Sequence, residues 1–170
     1  MRAMMVGLTL VFVSSVTFAQ QPAASSAASR TMVSAADVAA LIAKARVDRK
    51  DGQALLAQSM IQLAPYNVSL EYRAAVANAA VHETEAELFN VVDGSAMLVT
   101  GGRLKDEKRT NASNLTGSGI EGGVSRHVAK GDFIMVPEGT PHWFSAIDGT
   151  VVLMSLHLPR APRAAAGTTP

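Results

Sequence analysis

Two stretches decide how this chain is read: His82-Glu83-Thr84-Glu85-Ala86-Glu87-Leu88-Phe89-Asn90-Val91-Val92-Asp93-Gly94, and Gly131-Asp132-Phe133-Ile134-Met135-Val136-Pro137-Glu138-Gly139-Thr140-Pro141-His142. In the first, Glu87, Phe89 and Val91 recur at every second residue, so an extended strand places all three on one face. Such an apolar face is buried in a sheet protein, and an unpartnered carboxylate on it costs several kcal/mol. His82 ends one predicted strand and Glu87 begins the next, so a short hairpin sets them side by side. In the second stretch the apolar run Phe133–Val136 is bounded by Gly131, Pro137 and Gly139, and His142 opens the run that follows.

Outward from these stretches the chain keeps the same rhythm. Predicted strands cover Leu55–Gln62, Val68–Ala75, Ala79–Glu83, Leu88–Val92, Ala96–Thr100, Ser125–Val128, Phe133–Val136, His142–Ala146 and Val151–His157. Many short strands separated by turn residues argue for an antiparallel sandwich or barrel. Asp93-Gly94 is a tight-turn signal, and Gly139 and Gly149 mark further turns. The Gly-rich segment Gly101–Gly123 reads as a loop over a barrel mouth. Ahead of the strands, Ser34 and Asp37 form a helix start, and Val38, Leu41, Ile42 and Ala45 recur at helical spacing. One amphipathic helix of about three turns follows from that spacing, closed by Asp48 to Gly52.

Together the two stretches resemble the paired signature motifs of the cupin superfamily. The first motif runs His, any residue, His, three or four residues, Glu, six residues, Gly; His82, Glu87 and Gly94 match its second histidine, glutamate and glycine. The second runs Gly, five residues, Pro, one residue, Gly, two residues, His, and Gly131, Pro137, Gly139 and His142 supply all of it. Ala80 stands where the first motif has its first histidine, and Ala146 where the second often has Asn. The resemblance implies an all-β fold: an antiparallel jelly-roll (cupin) β-barrel, here preceded by one N-terminal α-helix. It also implies one divalent metal ion, held at the matching positions by His82, Glu87 and His142, and assembly as a homodimer.

The chemistry of those three residues agrees. Two neutral imidazoles and one carboxylate form a facial set that leaves coordination positions open, and it suits Fe, Mn, Ni or Zn. Phe89, Met97 and Phe144 are expected to wall the pocket around such an ion. Glu83 and Glu85 are expected on the face opposite His82, in solvent; the alternative is that the hairpin twists and either one completes the site. His127 and His157 hold no motif position and are assigned ordinary structural roles.

The ends of the chain read differently. Met1 and Arg2 precede an apolar run from Ala3 to Val16, and Thr17-Phe18-Ala19 offers the small residues of a cleavage site, so residues 1–19 read as a bacterial-type signal peptide. The run is shorter than a membrane-spanning helix requires, so the expected product is periplasmic or secreted and free of the membrane once cleaved. Residues 20–33 read as a disordered spacer, 34–52 as the helix and its linker, 53–160 as the barrel and 161–170 as a disordered tail. Apart from Arg2, the chain carries 14 basic and 14 acidic residues, a balance that gives nucleic acid no basic face to bind. With no cysteine, disulfides, thiolate metal sites and cysteine nucleophiles are excluded. Two functions fit. One is a metal-dependent enzyme of oxygenase, isomerase or lyase type acting on a small organic molecule in the pocket. The other is a non-catalytic module that binds or senses a small ligand.

Overall fold

The computed structural model describes residues 29–160. The predicted signal peptide, the tail 161–170 and most of the predicted spacer lie outside them. Helix α1 spans Ala35–Asp48, and Ser34 caps it: its hydroxyl accepts from the Asp37 amide while the Asp37 carboxylate accepts from the Ser34 amide. Eleven strands follow: β1 Leu55–Leu63, β2 Tyr66–Arg73, β3 Ala79–His82, β4 Glu85–Thr100, β5 Arg103–Lys105, β6 Lys108–Arg109, β7 Asn114–Gly117, β8 Gly119–Glu121, β9 Val124–Ala129, β10 Phe133–Val136 and β11 His142–Pro159.

Every pairing is antiparallel, and β4 with β11 forms the spine. The N-terminal half of β4 pairs β10 and the C-terminal half of β11, which continues through β2 to β1. The C-terminal half of β4 pairs β9 and the N-terminal half of β11, beside which lie β3, β7 and β6. Two sheets thus share two bent strands, the arrangement of a jelly-roll barrel. Phe89, Val91, Leu98, Val128, Val136, Phe144, Val151 and Leu153 come from both halves and pack between them. On the outer face of the first sheet, Val68, Leu70, Tyr72 and Val152 pack under Ala45, with Val38, Leu41 and Ile42 of the helix against them.

Three expectations are corrected by this pairing. Asp93-Gly94 and Gly149 are not hairpin turns, because β4 and β11 run on through them as single long strands that bend and shift register between Ile147 and Val151. Gly101–Gly123 is not a bare loop: β5 pairs β8, and β6 and β7 extend the second sheet beside β3. At its described end the expected spacer belongs to the fold. Arg30 exchanges two backbone hydrogen bonds with Gln62, and Val33 packs against the helix-side core.

Candidate metal centre

Four side chains converge inside the barrel. His82 ends β3, Glu87 lies near the start of β4, and His142 opens β11. The fourth, His157, lies near the end of β11, in register with Glu87. Residues opposite one another in an antiparallel pair share a face, so the Glu87 carboxylate and the His157 ring both point inward. Ala80, where the family motif has its first histidine, is in register with His142 and contributes only a methyl group.

Glu87 is 3% exposed, and its two oxygens have different surroundings. Oε1 accepts a 2.5 Å hydrogen bond from the Ser155 hydroxyl. Oε2 is shielded from solvent and has no hydrogen bond. The Nε2 atoms of His142 and His82 stand 3.1 and 3.3 Å from it, close but not aimed as donors. His157 Nε2 lies 3.4 Å from Oε1, and its ring meets that of His82 edge-on at 4.7 Å.

The other nitrogen of each ring explains this arrangement. Nδ1 of His142 faces the Thr140 carbonyl at 3.2 Å, Nδ1 of His82 faces Asn114 Oδ1 at 2.9 Å, and Nδ1 of His157 faces a Glu85 carboxylate oxygen at 3.1 Å. A carbonyl, amide oxygen or carboxylate can only accept, so each neutral ring carries its proton on Nδ1 and turns the lone pair of Nε2 toward Glu87. Lone pairs facing a buried anion repel unless a cation lies among them. A proton can serve. Burial pulls the His82 imidazole down, but the adjacent Glu87 carboxylate and the Asn114 amide outweigh it and raise the group above its ordinary 6.5. Burial likewise pushes the Glu87 carboxyl up, but the His142 and His82 rings and the Ser155 hydroxyl hold it far below its ordinary 4.5.

A divalent ion fits the same position. The donor set is imidazole nitrogen with one carboxylate, and each ring has its Nδ1–H held by an oxygen, as metal-ligating histidines do. Two atoms each about 2.1 Å from a shared ion stand roughly 3.0–3.4 Å apart, depending on the coordination angle, and the two imidazole nitrogens stand at such distances from Oε2. His82, Glu87 and His142 are therefore able to hold a metal ion.

Other expected site residues sort as follows. Phe89 and Phe144 are buried core residues that meet edge-to-face at 5.4 Å, and Phe89 lies beneath His142 with ring centres 6.0 Å apart. Met97 is not pocket wall. Its neighbours Ala96 and Leu98 face the core, so alternation turns Met97 to the opposite face of β4. Glu85 is not on the solvent side: β4 begins at Glu85, so Glu85, Glu87 and Phe89 share one face. Glu83 does lie away from the centre, held by Arg109. His157, Asn114 and Ser155 are site residues that the sequence reading missed.

No protein-family model and no curated protein matches this chain. Solved structures do. A cupin superfamily protein from Desulfitobacterium hafniense is 15% identical over 65% of this chain and 82% of its own, with a TM-score of 0.47. KdgF from Halomonas sp. is 15% identical over 66% and 86%, with a TM-score of 0.48. A Klebsiella pneumoniae protein with a double-stranded beta-helix domain is 15% identical over 65% and 77%, with a TM-score of 0.46. By its own strand pairing the chain has a jelly-roll fold, and cupins are among the solved structures similar to it.

Proposed function

We propose that this protein binds one divalent metal ion (Fe, Mn, Ni or Zn) through His82, Glu87 and His142, and that a small organic molecule enters the coordination positions left open. The observation that carries this reading is the buried, unpartnered Oε2 of Glu87, faced by two imidazole nitrogens within 3.3 Å. When bound, the ion would supply Lewis-acid polarisation of a substrate oxygen, or a redox centre if it is iron. The protein's part is to fix the ligands and exclude water. Asn114 and Thr140 set the imidazoles of His82 and His142, Ser155 fixes the other oxygen of Glu87, and Phe89 and Phe144 form a dry floor.

A second reading, non-catalytic capture of a small ligand, is favoured by one observation. Glu85, the next carboxylate along β4, is engaged with His157 rather than free to act as a base. Elemental analysis of the purified protein tests the metal. One equivalent is expected in the wild type, and His82→Ala and His142→Ala should each lose it while circular dichroism still reports the barrel. Full metal content in both variants would refute the assignment. Substrate-dependent turnover or O₂ uptake by the loaded protein separates the enzyme from the capture module.

Export belongs to the same proposal, supported by the apolar run Ala3–Val16 and the small residue Ala19. Mass spectrometry of the native protein is expected to find Gln20 as the first residue. An intact Met1 terminus on the mature protein would refute it.

A further inference from the structure

We infer that His157 is a fourth protein ligand of this centre, oriented by Glu85, and that it replaces the histidine missing at Ala80. The inference rests on the metal-centre reading above and adds to it a residue from outside both sequence motifs. Three observations support it. First, Glu87 and His157 are in direct register across β4 and β11, which aims both side chains into the barrel. Second, His157 Nε2 stands 3.4 Å from Glu87 Oε1, matching the spacing of the His82 and His142 nitrogens from Oε2, and its ring packs edge-on against His82. Third, its Nδ1 lies 3.1 Å from the Glu85 carboxylate, so the proton is held there and Nε2 is left to donate a lone pair.

The geometry also accounts for Ala80. A histidine at residue 80 would approach from β3, opposite His142. His157 lies at the other end of β11 from His142, in register with Glu87, so a third imidazole reaches the centre without β3. Glu85 is then a positioning residue. It forms a second His- and carboxylate-containing group with His82 and His157, contiguous with the first through His82.

The test uses the full mature chain, stripped with chelator and reloaded with Co(II) or Cu(II) alone. Pulsed EPR of the Cu(II) form counts coordinated imidazoles through their remote nitrogens. Three are expected in the wild type and two in His157→Gln, with Co(II) affinity at least roughly 100-fold weaker in the variant. Glu85→Gln should keep three imidazoles and lose about 10–100-fold in affinity, because the ring remains but its orientation and basicity do not. Two imidazoles in the wild type, or unchanged Co(II) affinity in a folded His157→Gln, would overturn the fourth ligand while leaving the three-residue centre standing. A wild-type chain that takes up neither ion would overturn the centre itself, and this inference with it.

Discussion

Glu87→Gln is expected to abolish stoichiometric metal binding and to flatten the pH dependence of the metal-free protein's stability. Glutamine keeps the shape of the side chain and its contact with Ser155 but removes the anion that faces the His82 and His142 nitrogens. Loss of an outer-shell partner alone costs about 10–100-fold in metal affinity, so loss of the sole carboxylate donor should exceed that. The pH effect follows from linkage. Glu87 is depressed in the folded protein, so its contribution is fully present above the ordinary 4.5 and lost as pH falls through its much lower folded value. His82 is raised, so its contribution is fully present below the ordinary 6.5 and lost as pH rises through its higher folded value. Metal-free wild type should therefore be most stable between these two ordinary values. Metal should move the optimum upward, because the ion takes the proton's place and needs neutral imidazoles. Urea unfolding across pH, with chelator and with Co(II), measures all of this. An identical metal-free profile for wild type and Glu87→Gln would show that the carboxylate and His82 are not coupled.

The centre was legible to the extent that it is local. His82 and Glu87 flank one short turn, and His142 follows the Gly131–Pro137–Gly139 run at fixed spacing, so their order in the chain carries their proximity. His157 has no such signature. Its partner Glu87 lies on another strand, and only the register of β11 against β4, set by bends and shifts along both strands, brings them level. Asn114 was hidden in a Gly-rich segment read as loop, and it is the pairing of β7 with β3 that carries its amide to His82. Glu85 was misplaced because side-chain alternation was carried through the turn at residues 83–84, where a strand's parity restarts. Met97 lies in a run that is apolar on both sides, since its outer face is also partly covered, and there alternation cannot tell inside from outside.

The fold was legible by the same measure. The capping box at Ser34 and Asp37 and the helical spacing through Ala45 are local signals, and the helix forms where they place it. The turns at Gly94 and Gly149 misled because glycine at positive φ serves a bend within a long strand as readily as a hairpin. What distinguishes the two is which strand lies opposite, and that is a property of the whole barrel.

Gly94 makes this dependence measurable. It has φ +79°, and a Cβ added there would lie 2.0 Å from the carbonyl oxygen of Thr150 on β11. The clash is with backbone, so no rotamer relieves it, and the two bent strands that link the sheets would have to part. Gly94→Ala is expected to cost more than about 4 kcal/mol, in the range reserved for core disruption. In a domain of this size each kcal/mol lowers Tm by roughly 2–8 °C, so the melting point should fall by about 8 °C or more. Gly149 is the internal control. Its φ is +75°, yet nothing lies within 4 Å of an added Cβ, so Gly149→Ala meets only the left-handed backbone penalty of about 1–2 kcal/mol. Thermal unfolding of the two variants separates the cost of the dihedral from the cost of the approach. Near-equal losses would show that β4 and β11 do not come together at Gly94 as described. Since that same pairing sets Glu87 opposite His157, a Gly94→Ala chain that still folds should also bind Co(II) more weakly, whereas Gly149→Ala should bind it as the wild type does.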